Sequence, residues 1–168
     1  YPNPNENGME IVYRYVPPVI SLTGQKTWIK GQMLRAPIEL ALFRSVGGGM
    51  ATQVPAGELQ TVTGLSCETA NPVTLTPAAG ASEPDSVTLD AKWCVDETDF
   101  NGQPYTYTVQ EVNGLTANWT KVEAGLLVTN TFKPTPFNQD GNLVMTKKWV
   151  GGRPVNVTFT LKRTTAGV

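Results

Sequence analysis

Short segments of strict apolar–polar alternation recur along the chain between clusters of Gly, Pro, Asn and Asp, and almost no stretch carries a 3.6-residue period. Strands are expected near 20–28, 37–44, 59–65, 72–76, 86–95, 104–112, 116–121 and 125–132. Side chains of a strand point alternately to its two faces, so each segment offers one apolar face for burial. Many short strands without helices between them indicate an all-β, antiparallel β-sandwich. The stretch 46–84 fits this pattern least: Gly47-Gly48-Gly49, several prolines and Ala78-Ala79-Gly80-Ala81 suggest long surface loops.

Three of these segments break their own pattern in the same way. The even positions of Ile20 to Trp28 are apolar or small except for Lys26. The face of Tyr105, Tyr107 and Val109 ends in Glu111, and the face of Leu126, Val128 and Phe132 contains Asn130. An unpaired buried ammonium or carboxylate costs several kcal/mol, so three such residues turned inward must either pair or react with one another.

Composition excludes much of the rest. Thirteen Lys and Arg nearly balance fourteen Asp and Glu, so no basic stripe argues for nucleic acid or an anionic membrane surface. With no histidine, Ser-His and Cys-His catalysis fall away, together with the commonest metal ligand. Neither a phosphate-binding loop nor a metal-ligand spacing is present, so no cofactor, no metal and no turnover enzyme are expected. The longest apolar runs are strand-sized, so no membrane span is expected. Cys67 and Cys94 are compatible with two buried free thiols or with a disulfide, and their number alone leaves both open.

The chain also repeats itself. Gln25-Lys26-Thr27-Trp28, then Arg35, Pro37 and Ile38/Leu40/Leu42, returns as Thr146-Lys147-Lys148-Trp149, then Arg153, Pro154 and Val155/Val157/Phe159/Leu161. The two lysines lie 147 − 26 = 121 positions apart, the length of a modest sandwich plus a linker. The expected organisation is an N-terminal arm, or the last strand of a preceding unit, at 1–19, then a sandwich at 20–134, a linker at 135–140 and the truncated start of a second unit at 141–168. Met9 to Pro17 resembles Leu126 to Pro134, with Tyr13 where Asn130 stands, and the start at Tyr1-Pro2-Asn3 reads as an excised interior piece. The second copy contains about two strands and is not expected to complete a sandwich from this chain alone.

With Lys26, Trp28, Arg35-Ala36-Pro37, Asn101-Gly102, Tyr105 to Glu111 and Val128-Thr129-Asn130-Thr131-Phe132 in this order, the chain resembles a B-type repeat of the collagen-adhesin (Cna B) family over about residues 20–134, with a broken copy from 141 onward. The Lys-x-Trp, Tyr-x-Val-x-Glu and Val-Thr-Asn-Thr elements are weak singly and rather specific together. The 46–84 stretch, with Cys67 inside it, departs from the family's compact pattern. The resemblance implies a transthyretin-like or inverse immunoglobulin-like sandwich, found in tandem in Gram-positive surface adhesins and pilins. It also implies an isopeptide bond formed by the protein itself, here between Lys26 and Asn130 with Glu111 as acid/base. Desolvation among Trp28, Tyr105, Tyr107, Val128 and Phe132 would favour the neutral amine that such a reaction needs. Membership of an exported family permits oxidation, so a Cys67–Cys94 disulfide is expected, tying the insertion to the strand that ends near Cys94. Lys147 holds the lysine position of the second copy, but no matching Glu or Val-Thr-Asn-Thr strand follows before Val168, so it is expected to remain an ordinary amine.

The function these features imply is a rod or stalk module of an extracellular, cell-wall-anchored adhesin or pilus, with neighbouring repeats of the same polypeptide as its partners. The alternative is a module that binds a host extracellular protein or glycan through 46–84 or an exposed sheet face. Asn118-Trp119-Thr120 and Asn156-Val157-Thr158 match a glycosylation sequon, a pattern short enough to arise by chance. Trp28, Trp93, Trp119 and Trp149 sit at strand-like positions and are expected to pack the sandwich rather than stack on sugars.

Overall fold

A computed structural model of the chain describes residues 14–113 and 117–134, with isolated positions between 148 and 162. Among the described residues eight strands follow one another: β1 (Val19–Ile29), β2 (Ile38–Val46), β3 (Thr52–Gln53), β4 (Val73–Leu75), β5 (Ser86–Asp96), β6 (Tyr105–Glu111), β7 (Trp119–Ala124) and β8 (Leu127–Phe132). Two single turns of 3₁₀ helix, Gln32–Leu34 and Ala56–Glu58, are the helical elements among the described residues. None of those residues forms a helix long and apolar enough to cross a membrane.

The strands make two four-stranded sheets. The first runs β5-β1-β8-β7, with β1 antiparallel to β5 and parallel to β8. In the second, Leu40 pairs with both Val73 and Glu111, and Arg44 with both Thr52 and Tyr107. Strand β2 therefore carries β6 along one edge and the short β3 and β4 along successive parts of the other. The apolar faces meet in a single cluster to which the first sheet gives Trp28, Ala91, Trp93, Val95 and Val128 and the second gives Ile38, Leu40, Leu42, Leu75 and Val109. The alternation read in β1 holds: Gly24, Lys26 and Trp28 are buried while Ser21, Thr23 and Gln25 are exposed. Trp28 and Trp93 lie in the core, and Trp119 packs edge-on against Phe132 with ring centroids 5.3 Å apart.

The main departure from expectation lies in the insertion. Residues 59–65 alternate like a strand, but their backbone groups are taken by turns and single contacts. Leu59 N–H closes the 3₁₀ turn onto Ala56 O, and Leu65 N–H closes a second turn onto Val62 O through Gly64 at φ +84°. The strand in this region is instead β3, too short for a period to show. Nor is the insertion a loose loop, because Val54 is fully buried in the core. Gln60 N–H and Glu68 N–H donate to Cys94 O and Lys92 O, covering the free edge of β5. Cys67 and Cys94 form a disulfide with Cα atoms 5.7 Å apart. Cys94 is fully buried although it faces away from the core side of β5, because the insertion lies over it.

Where β3 and β4 leave a gap along β2, a side chain fills it. Asn71 Oδ1 accepts from Leu42 N–H at 2.8 Å, while its Nδ2 donates to Leu42 O at 2.8 Å and Val54 O at 2.7 Å. The amide thus does the work of a strand peptide against a backbone with no other partner at Leu42 N–H among the contacts described.

Candidate functional site

Lys26, Glu111 and Asn130 meet inside the sandwich. Lys26 reaches inward from β1, Asn130 from the parallel neighbour β8, and Glu111 from the end of β6 in the opposing sheet. Register brings the first two together: Lys26 is level with Val128 and Trp28 with Asn130, so the side chains stand on one face two residues apart along neighbouring strands. Lys26 is 0% exposed, Asn130 3% and Glu111 6%.

Glu111 Oε2 is the hub. It accepts from Lys26 Nζ at 2.7 Å and from Asn130 Nδ2 at 2.9 Å. Asn130 Oδ1 is buried with no hydrogen-bond partner. Burial lowers the Lys26 pKa from its ordinary 10.5, against the opposing hydrogen bond and charge of Glu111. Desolvation thus outweighs an ion pair at 2.7 Å, and it favours an amine that can lose its proton. The Lys26 ammonium also lies 5.4 Å from the Trp28 ring centroid.

The expected apolar shell needs one correction. Trp28 and Val128 are buried beside the site, but Tyr105 and Tyr107 belong to the far end of β6. Tyr105 lies under the Arg44 guanidinium, 4.5 Å from its ring centroid, and Tyr107 OH donates to Asp96 O at 2.5 Å. Phe132 packs with Trp119 at the β7–β8 side. Enclosure of Lys26 comes chiefly from the two sheets rather than from a tyrosine wall.

Two residues that the sequence reading missed complete the surroundings. Lys121 Nζ donates to Glu111 O at 3.2 Å, and Glu123 Oε1 accepts from Glu111 N–H at 3.0 Å. On β7 the positions opposite Asn130 and Val128 hold Lys121 and Glu123, whose side chains remain 31% and 30% exposed, while Val122 between them is 65% exposed. Lys147 and Trp149 lie outside the described residues, as do 1–13 and the expected linker 135–140. Among the described residues no group of three His, Cys, Asp or Glu is placed to hold a metal ion.

No family model, curated protein or solved structure matches this chain. What defines the molecule is therefore its own architecture: an all-β chain of two facing sheets with a buried lysine–glutamate–asparagine cluster between them.

Proposed function

We propose that the chain is a structural rod or stalk module of a Gram-positive cell-surface adhesin or pilus, of the Cna B type, closed by an isopeptide bond that Lys26 and Asn130 form without a cofactor. The observation that carries this reading is the buried cluster itself, in which an amine, an amide and a shared carboxylate converge from three strands.

In the reaction the Lys26 ammonium passes its proton to Glu111, and the neutral Nζ attacks Asn130 Cγ. The geometry described corresponds to the ion pair before that transfer, with the amide nitrogen facing Glu111. Rotation about the Asn130 Cβ–Cγ bond exchanges the amide's nitrogen and oxygen. The unpartnered Oδ1 then receives a hydrogen bond from protonated Glu111, which polarises the carbonyl and stabilises the oxyanion of the tetrahedral intermediate. Glu111 next shuttles an Nζ proton to Nδ2, the Cγ–Nδ2 bond breaks, and ammonia departs. The amide Nζ–Cγ replaces the amide Cγ–Nδ2, the released ammonia takes up the proton on Glu111, and nothing is oxidised or reduced. The reaction occurs once per chain.

The strand order supports a load-bearing role. Because β1 and β8 are parallel, the chain enters the sheet at one end and leaves it at the other, separated by roughly 35 Å at about 3.3 Å per residue. Modules joined in this way stack end to end, and tension along the array shears β1 against β8, the pair the bond would lock.

Stretching one molecule between its termini tests the reading. The wild-type chain should release none of the length between Lys26 and Asn130, whereas Lys26→Arg, with the disulfide closed, should release roughly 260 Å as the remaining 104 − 27 = 77 positions extend at about 3.4 Å each. Equal extensions in the two proteins would refute it.

A further inference from the structure

We propose that Lys121 and Glu123 form a positioning clamp that sets the Glu111 carboxyl for the Lys26–Asn130 reaction, an inference that rests on the reaction proposed above. Strand β7 is the outer strand of its sheet, and its pairing with β8 places Lys121 directly opposite Asn130 and Glu123 opposite Val128. Side chains directly opposite in an antiparallel pair share a face. Two charges are thereby turned toward the opposing sheet, on a face where an ordinary sandwich strand carries apolar residues.

Their targets are the two backbone groups of one residue. Leu40 faces Glu111 across the β2–β6 ladder, and the free edge of β6 needs partners for the groups it turns outward. Val109 N–H finds Gly125 O at 2.9 Å. Two residues on, Glu111 N–H finds Glu123 Oε1 at 3.0 Å, and Glu111 O finds Lys121 Nζ at 3.2 Å. Lys121 and Glu123 also pair with each other at 2.8 Å. A donor and an acceptor from one strand therefore grip the acceptor and donor of a single peptide position on another, fixing the backbone from which the Glu111 side chain projects. That side chain must serve amine and amide through one oxygen, so a small rotation of its backbone displaces both contacts. The charges of the pair act on Lys26 in opposite senses, Lys121 against its protonation and Glu123 for it, so the clamp works through the placing of Glu111.

The arrangement is matched in polarity, and this makes it testable. In Lys121→Glu/Glu123→Lys the two side chains can still pair, but a carboxylate then faces Glu111 O and an ammonium faces Glu111 N–H. The full chain, synthesised in a cell-free system and followed by intact mass, reports the rate at which ammonia is lost. Denaturation of each variant in a Lys26→Met background reports stability apart from the cross-link and gives the folded fraction. The swapped variant and Lys121→Met/Glu123→Gln should form the bond at least about tenfold more slowly than wild type per folded molecule, while Lys121→Arg, which keeps both the donor and the charge, should react at close to the wild-type rate. A swapped variant reacting at the wild-type rate overturns the clamp and leaves the reaction standing, as does slowing that merely follows a lower folded fraction. A folded wild type that never loses ammonia removes the reaction and the clamp with it.

Discussion

Asn130→Ala separates a cross-linked sandwich from a merely hydrogen-bonded one by magnitude. In the absence of a covalent bond the substitution removes one hydrogen bond to a carboxylate, at 2.9 Å, and a buried carbonyl oxygen that has no partner. The first loss costs about 1.5–3 kcal/mol and the second removes a penalty, so the net change should be about 1–2 kcal/mol. With the bond in place the same substitution instead opens a loop of 130 − 26 = 104 positions. The disulfide shortens that loop by 94 − 67 = 27 positions, which reduces the chain-entropy term by only about 0.3 kcal/mol. A contribution of about 4–5 kcal/mol remains, and it stands without the hydrogen-bond term, because the Nδ2 that made that bond has left as ammonia. Guanidinium unfolding of both proteins under non-reducing conditions measures the difference. The dependence on denaturant should also steepen in the variant, because an unfolded chain freed of the cross-link exposes more surface. A loss of about 2 kcal/mol or less with an unchanged slope would refute the covalent argument.

Other consequences can be checked independently. Asn71→Ala should cost about 2–4 kcal/mol, because three hydrogen bonds go and the buried Leu42 N–H loses its acceptor; a change below about 1 kcal/mol would show that water or a shifted β3 takes the amide's place. Gly24→Ala should destabilise by about 1–3 kcal/mol, since the added methyl would lie 2.7 Å from Val109 Cγ1 and 2.8 Å from the Trp93 ring; a neutral result would mean that the two sheets separate there without cost. In Asn130→Ala, where Lys26 stays an amine, its pKa is lower folded than unfolded, so the unfolded chain binds more protons between the two values and stability should rise with pH up to about 10.5 relative to a Lys26→Met/Asn130→Ala control. A difference between the two that stays flat or falls over that range would show that the ammonium is not desolvated.

What the sequence revealed and what it hid follow from the same physics. Strands β1, β5, β6 and β8 lie between a core and a solvated or covered face, so their two-residue period is strong, and Lys26, Glu111 and Asn130 were visible as interruptions of it. Lys121 and Glu123 stayed hidden because β7 is an edge strand: its inward charges reach across to another backbone, and its exposed Val122 reverses the usual contrast. The segment 59–65 has the composition of a strand but spends its backbone on turns, a fate set by Gly64 and by the neighbouring edge of β5 rather than by alternation. Asn71 replaces a peptide group with a side chain, a substitution that leaves no periodic trace. The pairing of Cys67 with Cys94 depends on the insertion folding back over β5, which the cysteine count could not indicate.

The central claim is the covalent closure of the sandwich, and intact mass tests it most directly. After reduction of the disulfide, the folded wild-type chain should weigh one ammonia less than its sequence, while Glu111→Ala and Asn130→Ala should each weigh what their sequences require. A folded wild type at full mass would contradict the account, leaving Lys26, Glu111 and Asn130 as a buried hydrogen-bonded network and nothing more.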